Sequence, residues 1–312
     1  MKIQTISNHN PQVNHKCGIK SLNKINPISR YADRYFNNMA KTSADRIEEI
    51  SPALSGKIRN LRIKGISAWD INPSNSEEYI LFLHGMSQNV SNYQHLYETI
   101  INKGKGVFAV EYRGYGSNGR AKISEDKLRK DVKTAYDYLI KTGIKPENVT
   151  VMGHSMGGAL AVDFASKHKD IKSLVLICPL TKMSYIGKKF SGHKLLGLGI
   201  PGRVMAFTGV NEGAGSSNLP AGKNGVKCIK PLAWLYDFMF NSIRKIPKLE
   251  TPTYYIQSRN DSVTTIEGAR MFAKTARRQG VLEKFYSLAS GGHKVDAQKV
   301  GIISDIIDKI YS

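Results

Sequence analysis

Apolar and polar residues alternate with two different periods along this chain, and the switches between them mark its elements. Over 57–69, Ile58, Leu61, Ile63 and Ile66 stand among basic residues, which reads as a strand. Asn72, Pro73, Ser74 and Asn75 then form a turn cluster. Residues 79–83 are a short continuous apolar run, the mark of a strand covered on both faces of a parallel sheet. Similar strands are predicted at 107–110, 149–152, 173–177, 253–257 and 284–288. Helical spacing fills the gaps, around 93–101 and over 158–167, 266–279 and 297–311. The clearest helix opens at Ser124, an N-cap followed by Glu125 and Asp126, whose charges complement the helix dipole. Leu128, Val132, Tyr136 and Leu139 make its apolar face, and Gly143 stops it. Strands alternating with helices predict an α/β fold, a mostly parallel central sheet flanked by helices.

Two stretches break this rhythm. Residues 1–55 are rich in Asn, Ser and Lys and read as an N-terminal extension, with one helical pattern over 28–50. Residues 181–248 hold many glycines and lysines, a loop-like run at 211–225 and an apolar patch at 232–240. An insertion between two strands, above their C-terminal ends, is where a lid sits. The expected organisation is therefore an extension (1–55) and one domain (56–312) that carries a lid at about 181–248.

The candidate chemistry lies at strand ends. Gly153-His154-Ser155-Met156-Gly157-Gly158 matches G-x-S-x-G between a strand and a helix, the setting of a nucleophile elbow. Ser155 is the predicted nucleophile, and its hydroxyl needs a base that is itself oriented by an acid. The chain order in this setting is serine, acid, histidine, which leaves His168, His193 and His293 as bases. His168 falls at the far end of the following helix and His193 in the lid. His293, in a glycine-rich loop after the last strand, is the predicted base. Asp261, after the penultimate strand, is the predicted acid. Its rival Asp296 reads rather as the start of the final helix. The backbone amides of Met86 and Met156 are the expected oxyanion donors, and His84 is expected to shape the Met86 loop.

With these residues placed, the chain resembles the α/β-hydrolase superfamily. The motifs recur in order: Leu83-His84-Gly85, Glu111-Tyr112-Arg113-Gly114-Tyr115-Gly116-Ser117, the Ser155 elbow, Asn260-Asp261 and Gly292-His293. The second and third are most similar to the branch of monoacylglycerol lipases, lysophospholipases and serine aminopeptidase-like hydrolases. One departure is Glu111, where many relatives carry Asp. The resemblance implies a serine hydrolase without cofactor or metal, cleaving carboxylic esters, including monoacyl lipids or lysophospholipids, through an acyl-enzyme. The alternatives are a serine peptidase or amidase on small substrates and a non-catalytic binding protein on the same scaffold.

Composition adjusts this picture in three places. The three cysteines, Cys17, Cys178 and Cys228, have neither disulfide-framework nor zinc-ligand spacing, which fits a reducing compartment. No apolar stretch suits a signal peptide or a bilayer span, so the expected location is cytoplasmic, with non-classical export left open. The net charge of +21 suits either attraction to anionic membrane surfaces, nucleic acid or acidic substrates, or solubility alone, and does not by itself name a partner. Aromatic platforms and a reading helix are missing from the pattern, so the expected partner is a small-molecule ester or lipid substrate rather than nucleic acid, with peripheral contact at an anionic membrane surface left open.

Overall fold

Lys64 and Gly65 both adopt positive φ, 46° and 89°, and fold the basic N-terminal stretch back on itself. Such a two-residue turn matches the twist of a hairpin. The single strand expected over 57–69 is therefore two antiparallel strands, β1 (Ile58–Ile63) and β2 (Ile66–Ile71), with Ile63 opposite Ile66. The computed structural model describes residues 47–119, 121–182 and 240–312. Most of the expected extension and lid lies outside the described residues. So does the helix expected over 28–50, except for residues 47–50, which are not helical.

The remaining strands are β3 (Tyr79–Leu83), β4 (Gly106–Glu111), β5 (Val149–His154), β6 (Ser173–Ile177), β7 (Thr253–Ser258) and β8 (Leu282–Leu288). They form one eight-stranded sheet in the order β1-β2-β4-β3-β5-β6-β7-β8. The β1–β2 and β2–β4 pairs are antiparallel, and every other pair is parallel. The α-helices among the described residues are α1 (Gln94–Asn102), α2 (Glu125–Lys141), α3 (Met156–Ala165), α4 (Ile266–Gln279) and α5 (Ala297–Tyr311).

Successive strand residues point to opposite faces, and both faces are apolar. Ile80, Phe82, Val107 and Val175 pack with Leu96 and Ile100 of α1 and Ile303 and Ile306 of α5. Leu81, Leu83, Phe108 and Leu174 pack with Leu128 of α2, Leu160 of α3 and Phe272 of α4. This double covering is why the central strands read as unbroken apolar runs. At β3 the winding reverses, with β4 on one side and β5 on the other, and such a switch point opens a crevice at the C-terminal strand ends.

Candidate active site

The crevice receives one residue from each of three separated loops. Ser155 sits between β5 and α3 with φ 54° and ψ −117°, a backbone conformation costly for a residue with a side chain. The turn is tight enough that a Cβ on Gly153 would lie 2.4 Å from the Gly157 carbonyl oxygen. One on Gly157 would lie 2.0 Å from the Leu83 carbonyl oxygen in β3. The glycines therefore let α3 start directly against the sheet.

His293 follows β8, and Asp261 follows β7. The structure brings both to Ser155: His293 Nε2 is 2.9 Å from Ser155 Oγ, and His293 Nδ1 is 2.8 Å from Asp261 Oδ2. Asp261 is held by more than His293. Its Oδ1 accepts from the amides of Val263 (2.7 Å) and Thr264 (2.9 Å), and its Oδ2 lies 2.9 Å from Thr264 Oγ1. Burial alone would raise this carboxyl's pKa. The histidine and the two amides outweigh burial and bring it down to about 2, so it stays ionised. The hydroxyl–imidazole–carboxylate row can deprotonate the serine as it attacks an electrophile.

The rival acid is elsewhere. Asp296 caps α5, accepting from the Lys299 amide at 3.0 Å. His168 stacks on Phe164, with ring centroids 4.1 Å apart at the outer end of α3. His193 lies outside the described residues.

The loop after β3 closes the other side. A Cβ on Gly85 would come within 3.3 Å of Ser155 Cβ, so Met86, the next residue, begins beside the serine. The Gly85 amide is spent on the Tyr93 hydroxyl at 3.0 Å. Met156 is the first residue of α3, where helix amides lack intrahelical acceptors. His84 is buried behind this loop, its Nε2 3.0 Å from Glu111 Oε1, while Glu111 Oε2 accepts from the Val90 amide at 3.3 Å. Glu111 thus ties the end of β4 to both ends of the loop.

The structure adds residues to which the motifs assigned no role. His154 Nε2 donates to the His293 carbonyl at 2.8 Å, and its Nδ1 lies 2.8 Å from the Tyr93 hydroxyl. Burial first, and then the neighbouring His293, push its pKa down to about 3, so the ring is neutral. Two more contacts hold the His293 loop: Asn260 Oδ1 accepts from the Gly292 amide at 2.9 Å, and buried Lys299 donates to the Gly291 carbonyl at 3.1 Å. Cys178, after β6, is buried beside Asp261 and His293, and burial pushes its thiol up to about 12. His154 stands inside the G-x-S-x-G motif, which was a signal. Lys299 and Cys178 carry none, because only the fold brings them near the site.

No helix among the described residues is long and apolar enough to cross a membrane. Known proteins extend the comparison. A family model described as serine aminopeptidase, S33, matches residues 74–219. Two Mycoplasma proteins provisionally named esterase/lipase 2, of M. pneumoniae and M. genitalium, are 32% and 29% identical over 39% of this chain. The match spans 46% of the length of each of these relatives. A monoglyceride lipase homolog of Monkeypox virus is 22% identical, covering 75% of this chain and 89% of its own. Among solved structures, an alpha-beta hydrolase from Vibrio vulnificus superposes with a TM-score of 0.65 at 20% identity. It covers 92% of this chain and 94% of its own.

Proposed function

We propose that this chain, which belongs to the α/β-hydrolase superfamily, cleaves carboxylic esters through an acyl-enzyme on Ser155. The observation that carries the reading is the Ser155–His293–Asp261 row, with hydrogen bonds of 2.9 and 2.8 Å on a serine of strained backbone. His293 Nε2 takes the Ser155 proton as the oxygen attacks the ester carbonyl. Asp261 holds the ring with Nδ1 protonated and stabilises the imidazolium that forms. The amides of Met86 and Met156 hold the oxyanion, the second aided by the N-terminal dipole of α3. His293 then gives its proton to the leaving alcohol, and water attacks the acyl group by the same route in reverse.

Support for an ester comes from the esterase, lipase and hydrolase names of the similar proteins. A monoacyl lipid at an anionic surface fits the lipase homolog and the charge of the insertion: residues 181–250 hold eleven Lys or Arg against three acidic residues. The aminopeptidase description of the matching family favours a second reading, a small amide substrate cleaved by the same machinery.

The test is turnover of p-nitrophenyl esters of increasing chain length, beside p-nitroanilides, by wild type and Ser155→Ala. Ester hydrolysis that falls at least about 10⁴-fold in the variant supports the reading. Equal rates in both proteins would remove Ser155 as nucleophile, and turnover of anilides alone would select the amide reading.

A further inference from the structure

Cys178, Asp261, Thr264 and His293 meet at one point, although they come from the end of β6, the β7–α4 loop and the β8–α5 loop. The thiol sulfur, a carboxylate oxygen and a ring nitrogen of Cys178, Asp261 and His293 all lie within 4.8 Å of one another. Thr264 Oγ1 adds a fourth donor, 2.9 Å from Asp261 Oδ2 and 3.5 Å from His293 Nδ1. We propose that these four residues form a latent inhibitory site for a thiophilic divalent cation of the Zn²⁺ class.

The donor set suits such an ion. Zn²⁺ takes four ligands at about 2.0–2.3 Å, which sets neighbouring ligand atoms roughly 3.3–3.7 Å apart. The nitrogen and the two oxygens stand 2.8–3.5 Å apart and the sulfur within 4.8 Å of the Asp261 and His293 atoms, so shifts of up to about 1 Å, the sulfur inward and the closest nitrogen and oxygen atoms slightly apart, complete the shell. One thiolate and one carboxylate neutralise the doubly charged ion, which makes a buried site affordable. Cys178 and Asp261 are enclosed, whereas the His293 side chain is 19% exposed, so the ion enters as that ring swings.

The consequence rests on the role assigned to His293 above. As the metal–sulfur bond forms, the Cys178 thiol proton passes to solvent. As the metal–nitrogen bond forms, the His293 proton on Nδ1 leaves that nitrogen, and the neutral ring carries its proton on Nε2 instead. Nε2 lies 2.9 Å from Ser155 Oγ and now donates to it. A nitrogen that already holds a proton cannot accept the serine's, so the loaded protein is switched off without any change at Ser155. Hard cations such as Mg²⁺, which prefer six oxygen ligands, do not fit.

Zn²⁺ and Cd²⁺ are titrated against ester hydrolysis by wild type, Cys178→Ser and Cys178→Ala. Cd²⁺ binding is also followed by the ultraviolet thiolate-to-cadmium charge-transfer band, in a background with Cys17 and Cys228 replaced by Ser. The expected result is one Cd²⁺ per chain, a band lost in both Cys178 variants, and a half-inhibitory Zn²⁺ concentration raised at least about tenfold in them. Equal inhibition of wild type and variants would overturn the proposal, as would a missing band in wild type. The band is read without turnover, so a protein that binds Cd²⁺ through Cys178 yet hydrolyses no ester would sink the ester-hydrolase reading and leave the metal site standing.

Discussion

His154 is buried, neutral and hydrogen-bonded at both ring nitrogens, so acid should act on folding through it in a calculable way. Its pKa falls from 6.5 to about 3, chiefly through burial. Above pH 6.5 the ring is neutral in the folded and the unfolded chain alike, and it contributes no pH dependence. Below pH 6.5 the unfolded chain binds a proton there, whereas the folded chain does not until about pH 3. Stability is therefore lost as pH falls through that window, by about 1.4 kcal/mol per unit once the unfolded ring is mostly protonated. Integrated from pH 7.5 to 4.5, the loss is about 2.7 kcal/mol, and any folded value well below 4.5 gives nearly the same figure. His154→Gln removes the titration while keeping an amide donor for the His293 carbonyl. Urea unfolding of both proteins at the two pH values isolates the effect, because the other titrating groups are common to both. The stability difference between wild type and variant should shift by about 2.7 kcal/mol in favour of the variant at the lower pH. A difference that stays constant within about 0.5 kcal/mol would refute a neutral, buried His154.

Three further outcomes follow from the same geometry. Gly157→Ala drives a Cβ to 2.0 Å from a backbone oxygen of β3, so it should cost more than about 3 kcal/mol in urea unfolding or prevent folding; a loss under about 1 kcal/mol would contradict the tight elbow. Asp261→Asn should lower kcat for an ester by about 10³–10⁴-fold, whereas Asp296→Asn, which keeps a capping side chain on α5, should leave kcat within a few-fold of wild type; the reverse order would make Asp296 the acid. Vesicles of anionic phospholipid should bind the protein in a salt-dependent way and neutral vesicles should not; equal binding to both would remove the electrostatic surface reading.

Much of this architecture was legible because the relevant interactions are local. Helices α4 and α5 fall on the residues that their apolar spacing predicts, α5 starting after Asp296 as expected, and Thr265 caps α4. The apolar run at 79–83 is β3 itself, since both its neighbours and both its faces are protein. The hairpin at the N-terminal edge was not legible as two strands, because its alternation continues on both sides of the turn. The signal there was the Lys64-Gly65 pair, whose positive φ angles only the folded backbone displays. The helix expected over 158–167 begins earlier, at Met156, because the elbow lets α3 start directly after Ser155.

By itself the sequence determined the alternation of strands and helices and the order of the nucleophile, acid and base candidates. Both are properties of short segments, set by side-chain periodicity and turn chemistry. Tertiary structure alone decided which distant groups share a few ångströms of space. Asp261 rather than Asp296 meets His293, His154 and Lys299 hold the loop that carries it, and Cys178 arrives from β6 beside them. The sheet order brings those loops to one crevice, and contacts between residues far apart in the chain exist only once the whole sheet has closed over its core.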